Sequence, residues 1–254
     1  MLDDLLLEDD IEDEEGTDPL IPFVASGLIT EVLGELKSGK EGTTFCCKAH
    51  PSTGYDYLAA KVYRPRETRS FKNDSMYREG EVVLNARDAR AMKRKSDWGR
   101  EVSFGSWIFH EYETLTRLSE AGADVPRPIM MAGNAMLMEF VGDGSSAAPP
   151  LHSVRLAEEE ARPLFQRTLA NVELMLRLNL IHGDLSAYNI LYRNGEITLI
   201  DFPQAFDPRT NRQALDLLIR DVENVCRYFG KYGIKHDAIR YAQYLWEQFL
   251  RMDL

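Results

Sequence analysis

The segment Leu180-Ile181-His182-Gly183-Asp184-Leu185-Ser186-Ala187-Tyr188-Asn189-Ile190-Leu191-Tyr192, followed by Leu199-Ile200-Asp201, holds the residues best suited to chemistry. An aspartate stands five residues before an asparagine, and a second aspartate follows about a dozen residues later. Transfer of a phosphoryl group from ATP asks little covalent help of a protein. It needs a carboxylate to orient the attacking oxygen and accept its proton, and hard oxygen ligands to hold magnesium on the phosphates. Asp184 and Asp201 are therefore the candidate catalytic residues, and Asn189 and Asp201 the candidate metal ligands.

Those groups must be set at a fixed separation. Residues 190–192 and 197–200 read as two short strands joined by Asn194-Gly195, a strong tight-hairpin signal, so Asn189 and Asp201 fall at neighbouring strand ends. Upstream, residues 28–36, 43–49 and 55–63 read as three strands. The first two are linked by Ser38-Gly39-Lys40-Glu41-Gly42, where glycine allows close backbone approach to a phosphate and Ser38 and Lys40 add donors. Lys61 lies in the third strand. Ile108, Tyr112, Leu115 and Leu118 recur at helical spacing over residues 107–118. Glu111 on that helix is the candidate partner of Lys61, and Glu113 falls on a more polar face. Residues 129–131 and 136–141 read as strands, and residues 157–178, 212–229 and 236–252 as helices, the first opened by Glu158-Glu159-Glu160.

The net charge of −11 belongs to one end of the 254-residue chain: residues 1–18 hold ten acidic side chains and no basic one, leaving −1 for the remainder. Such a run repels itself and has little to bury, so residues 1–26 read as an acidic, disordered tail. Residues 27–141 read as a β-rich lobe with a flexible insertion at 64–104, and residues 142–254 as a mainly helical lobe. No stretch is long and apolar enough to span a bilayer, and no basic segment leads into an apolar one at the N-terminus. Cys46, Cys47 and Cys226 lack metal-ligand spacing and read as reduced thiols in a cytoplasmic protein.

Taken together, Ser38-Gly39-Lys40-Glu41, Ala60-Lys61-Val62-Tyr63, Trp107 with Glu111, the run from His182 to Asn189, and Ile200-Asp201-Phe202-Pro203-Gln204 resemble the RIO family of atypical serine/threonine protein kinases. The resemblance covers roughly residue 28 to the C-terminus. It implies an α+β, two-lobed, protein-kinase-like fold with a reduced C-terminal lobe, binding ATP with magnesium or manganese between the lobes. By position it implies that Lys61 holds the α- and β-phosphates and pairs with Glu111. It further implies that Asp184 is the catalytic aspartate, Asn189 a metal ligand, and Asp201 a metal-binding aspartate able to accept a phosphoryl group. Met138-Glu139-Phe140-Val141 resembles the hinge that receives adenine, making Glu139 and Val141 nucleotide-binding candidates. Expected activities are serine autophosphorylation or an ATPase cycle. By resemblance alone, a protein or ribonucleoprotein partner such as the small ribosomal subunit is implied, with no membrane and no direct DNA binding.

Two features depart from ordinary protein kinases. Gly183 replaces the arginine that reads a phosphorylated activation loop, and no Ala-Pro-Glu follows in the 53 residues after Asp201. A small-molecule kinase of the aminoglycoside or choline kinase type shares the His-Gly-Asp…Asn pattern and stands as one alternative. A nucleotide-binding scaffold without turnover is the other.

Overall fold

A computed structural model describes residues 18–64 and 97–254. The acidic residues 1–17 and residues 65–96 of the expected insertion lie outside the described residues.

The chain enters through a short helix, α1 (Ile21–Ala25), with Pro22 in its first turn, where a missing N–H costs nothing. Phe23 is fully buried beside Leu20, Ile29, Cys47, Leu58, Ala60 and Leu137. The expected tail of residues 1–26 is therefore corrected at its C-terminal end: residues 20 and 23 are part of the small lobe's core. An apolar Leu-Ile-Pro-Phe-Val run has enough to bury, and the charge preceding it masked that in composition.

Strands β1 (Ile29–Ser38), β2 (Gly42–Ala49), β3 (Tyr57–Tyr63), β4 (Pro128–Ala132) and β5 (Ala135–Glu139) form one antiparallel sheet in the order β1-β2-β3-β5-β4. Alternation along β3 divides the molecule's two cores. Leu58 and Ala60 face the small core under α1, whereas Tyr63, from the other face, joins the large core with Met136 of β5. Lys61, between them in register with Thr44 and Met136, projects from the same face as Tyr63.

Helix α2 (Asp97–Glu120) crosses that face and contributes Ile108, Leu115 and Leu118 to the large core. It begins ten residues earlier than the 107–118 span read from periodicity, so part of the expected flexible insertion is helical backbone. After β5 and the expected hinge at residues 138–141 comes a very short hairpin, β6 (Gly142–Asp143) and β7 (Ser146–Ala147).

The C-terminal lobe is built on helix α3 (Glu158–Arg177), the hairpin β8 (Ile190–Arg193) and β9 (Glu196–Leu199), and helices α4 (Ala214–Gly230) and α5 (Ala238–Arg251). Asn194 and Gly195 turn the hairpin at φ +49° and +82°, as a two-residue reversal of that hand requires. The apolar stripe of α4 (Leu217, Leu218, Val222, Val225, Phe229) packs beneath the loop that carries Asp184.

Candidate active site

Lys61 is the meeting point of the two lobes. Its Nζ donates to Glu111 Oε1 at 2.8 Å and Oε2 at 3.2 Å, and to Asp201 Oδ1 at 3.1 Å. Glu111 is 1% exposed, so its carboxylate has little water to fall back on. It also accepts the Tyr63 hydroxyl at 2.9 Å and the Phe202 backbone N–H at 3.3 Å. Glu111 is thus the Lys61 partner, one helix turn beyond the buried Ile108. Burial works against a charged Lys61, but Glu111, Tyr63 and Asp201 together outweigh it, and the ammonium pKa is held well above its usual value. For Asp201, burial pushes the pKa up and Lys61 pulls it down; the lysine wins and the carboxyl stays below its usual range. Lys61 and Asp201 are therefore both held toward their charged forms, side by side in the cleft.

Asp184 lies across from it with the opposite tendency: burial and the Asp201 charge raise its pKa, with Arg220 opposing. Two carboxyls pushed in opposite directions suit one to hold a cation and the other to take a proton. Asn189 donates from Nδ2 to the Asp184 carbonyl at 2.9 Å and to Asp184 Oδ2 at 3.5 Å. With Nδ2 committed to Asp184, the amide oxygen is the atom that could serve as a ligand. The Ile200 N–H donates to the Asn189 carbonyl at 2.9 Å, which ties Asp201 to Asn189 across the base of the hairpin. Asp201 itself has φ +72°, a conformation that turns its side chain back towards Lys61 and that few residues other than glycine, asparagine and aspartate adopt readily.

Three bracing residues from α4 lie outside the motif, and His182 braces the loop from within it. Asp221, on α4 and 2% exposed, accepts the N–H groups of Gly183 at 2.8 Å and Leu185 at 2.9 Å, so it grips the backbone on both sides of Asp184. Arg220 donates to the Gly183 carbonyl and Asn224 to the Leu185 carbonyl. His182 is buried, and burial lowers its pKa. Its Nε2 lies 3.2 Å from the Ile200 carbonyl, while Nδ1 accepts the Asp184 N–H at 3.3 Å. It braces the loop as a neutral ring.

The Ser38-to-Gly42 turn overhangs this cleft. Among its residues, Glu41 comes closest to the chemistry: its carboxyl hydrogen-bonds Asp201, and burial together with the Asp201 charge pushes its pKa up to about 7. Lys37, in register with Thr44 and through it with Lys61, adds positive charge felt by Asp201. Sequence reasoning missed Glu41 and Lys37. In the expected hinge, the Glu139 N–H donates to the Arg127 carbonyl at 2.8 Å, and the Val141 carbonyl accepts the Ala148 N–H at 2.9 Å. The Val141 N–H has no hydrogen-bond partner among the described residues, and so remains available to a ligand.

These residues fit a magnesium nucleotide. Among the described residues no three carboxylate, histidine or cysteine groups cluster closely enough to hold a metal ion. Asn189 and Asp201 offer two oxygen ligands instead, the sparse set with which magnesium sits when phosphates supply the rest.

The RIO domain family profile matches residues 44–243, about four-fifths of the chain. The chain is 33% identical over 231 residues to the RIO-type serine/threonine-protein kinase Rio1 of Methanocaldococcus jannaschii, covering 91% of this chain and 73% of that protein. It is 28% identical over 236 residues to the bovine serine/threonine-protein kinase RIO3, covering 87% of this chain and 44% of that protein. With human RIO1 it shares 29% identity over 223 residues, covering 87% and 37%. The chain thus spans less than half the length of those last two relatives. Among solved structures, the Rio2 kinase of Chaetomium thermophilum in its ADP/Mg2+-phosphoaspartate complex superposes with a TM-score of 0.62 at 20% identity, covering 89% of this chain and 65% of that one. The shared architecture is the two-lobed kinase fold that the sequence implies, and with a family match over most of its length this chain belongs to the RIO family.

Proposed function

We propose that this chain is an ATP-dependent phosphotransferase of the RIO serine/threonine kinase type. It passes the γ-phosphate to a serine hydroxyl, its own included, or to water in an ATPase cycle. The observation that carries this reading is the double contact of Lys61, which joins Glu111 at 2.8 Å and Asp201 at 3.1 Å within one cleft. A surface lysine in a sheet has no reason to bridge two carboxylates drawn from 50 and 140 residues away.

On this reading Lys61 places the α- and β-phosphates, and Ser38, Gly39 and Lys40 cover them. Glu139 and Val141 border the adenine. Asn189 and Asp201 hold magnesium or manganese, which when bound neutralises charge on the phosphates. Asp184 orients the acceptor oxygen and takes its proton as the oxygen bonds to phosphorus and ADP departs. Asp201 is itself a possible phosphoryl acceptor. The two alternatives, a small-molecule kinase and an inert scaffold, are not favoured by membership of this family. No helix among the described residues is long and apolar enough to cross a membrane. A cytoplasmic setting and a protein or ribonucleoprotein partner remain part of the proposal.

The test is incubation with γ-labelled ATP and magnesium, beside Asp184→Ala and Asp201→Ala, following both labelled protein and free phosphate. A working general base contributes about 10²–10⁴-fold, so Asp184→Ala is expected to lose both products to at least that extent. Acid-stable label marks a hydroxyl acceptor, whereas label released by hydroxylamine marks Asp201. Wild-type protein that binds ATP and yields neither product would overturn the reading.

A further inference from the structure

We infer that Arg64 is a positioning residue that moulds the Ser38-to-Gly42 turn around the nucleotide's phosphates, an inference that rests on the nucleotide reading of the cleft given above. By sequence, Arg64 opens the polar insertion. In the structure it belongs to the sheet: it directly follows β3, three residues beyond Lys61, and its N–H donates to the Glu41 carbonyl at 2.9 Å.

Its side chain reaches the other leg of the turn. One terminal nitrogen donates to the Gly39 carbonyl at 2.6 Å, and the other donates to Ser38 Oγ at 2.7 Å and Thr43 Oγ1 at 3.0 Å. Ser38 and Thr43 lie opposite one another in the β1–β2 register, and their hydroxyls are 3.0 Å apart. The guanidinium therefore closes the mouth of the turn from one side. The turn's own backbone contributes one further bond, Gly39 N–H to the Gly42 carbonyl at 2.9 Å. A turn of this length with two glycines is otherwise costly to fix in one shape.

The consequence concerns registry. The strand that delivers Lys61 to the phosphates leads directly, three residues later, into the clamp that sets the backbone above them. Charge-assisted bonds from a guanidinium are individually stronger than neutral ones, and its planar fork can serve the Gly39 carbonyl and Ser38 hydroxyl at once. A lysine ammonium is a point donor and cannot reproduce that span.

The experiment is titration calorimetry with ATP and magnesium, and with adenosine, on wild type, Arg64→Ala and Arg64→Lys, with melting curves to show that each variant is folded. We expect Arg64→Ala to weaken ATP about tenfold, on the scale of one lost charge-assisted bond, and to leave adenosine within about twofold. Arg64→Lys should recover less than half of the lost ATP affinity on a logarithmic scale. Equal weakening of ATP and adenosine would reduce Arg64 to general stability, and full rescue by lysine would remove the fork from the argument. Either result overturns the inference, as does an ATP preference that survives Arg64→Ala intact. A wild type that binds ATP no better than adenosine would instead sink the nucleotide reading of the cleft, and the clamp with it.

Discussion

The carboxylate of Asp221 accepts the Gly183 N–H at 2.8 Å from inside the C-terminal lobe, and its second oxygen accepts the Leu185 N–H at 2.9 Å. Asp184 lies between those two amides, so the direction of its side chain is set by a residue 37 positions later in the chain. Gly183 permits this by adopting φ +80°, which any side chain resists. The glycine at this position is thus required by the backbone path. Asp221→Asn keeps one acceptor oxygen but turns an NH2 group towards the other amide. The unmet buried N–H costs about 1–3 kcal/mol, equivalent to a melting point lower by several degrees in a protein of this size. Turnover should fall further than stability predicts, because the loop around Asp184 loses its anchor. Differential scanning calorimetry beside the phosphate-release assay reads both, and an Asp221→Asn protein with wild-type melting and turnover would contradict this account.

The Lys61–Glu111 pair makes a second prediction. Lys61→Met removes the only cation among the described residues that touches a carboxylate 1% exposed, leaving Glu111 with the Tyr63 hydroxyl and the Phe202 N–H. Breaking a buried pair from one side costs about 3–5 kcal/mol, whereas replacing both partners by apolar groups of similar size can be close to neutral. Urea denaturation should therefore find Lys61→Met markedly destabilised and the double variant Lys61→Met, Glu111→Leu partly restored. Additive losses in the double variant would show that the two groups do not act as a pair.

How much of this was legible in the sequence depended on distance along the chain. Asp184, Asn189 and Asp201 fall within 18 residues and are locked together by a hairpin whose Asn-Gly turn announces itself, so their shared site could be read directly. Lys61 and Glu111 are 50 residues apart, and helical periodicity favoured Glu111 over Glu113 once a partner for Lys61 was sought. Asp221 was hidden because α4 reads as an ordinary amphipathic helix. The available signal was an aspartate on its apolar stripe, between Leu217 and Leu218 on one side and Val222 and Val225 on the other. Arg64 was assigned to the insertion that follows it, and Phe23 to the acidic tail that precedes it. Both errors came from averaging composition across a boundary that a single strand end or buried ring decides.

Gly42 and Gly39 should behave differently despite sharing one turn. A Cβ built on Gly42 would lie 2.2 Å from the Val62 carbonyl oxygen and 3.0 Å from the Tyr63 Cα, both backbone atoms of β3. Neither can swing aside, so Gly42→Ala must open the β2–β3 pairing that holds Lys61. The cost is about 1–3 kcal/mol, with weaker ATP binding. At Gly39 the nearest atom is the Gly42 carbonyl oxygen at 3.9 Å, an ordinary contact. Gly39→Ala is expected to melt within about 2 °C of wild type, a change below roughly 1 kcal/mol. Thermal melts of the two variants decide the matter, and a Gly42→Ala protein as stable as Gly39→Ala would mean the turn stands off the sheet.

Glu41 gives the molecule a pH dependence whose sign can be fixed in advance. Burial, with the charges of Asp201 and Glu111 against it and Lys61 for it, lifts its pKa from 4.5 to about 7. In the unfolded chain the same group loses its proton near 4.5. Between those values the folded protein holds a proton that the unfolded chain has released, so this group's contribution to stability declines as pH rises from about 4.5 to 7 and then levels off. Glu41→Gln carries no such proton and escapes the decline. Asp184 and Asp221, whose pKa values are also raised, titrate in both proteins and cancel in the difference. Melting wild type and Glu41→Gln side by side without nucleotide should show the variant gaining on wild type from pH 5 to 7.5, by an amount on the order of 1–3 kcal/mol. A difference that stays flat across that range would mean that the Glu41 carboxyl is solvated and does not rest against Asp201.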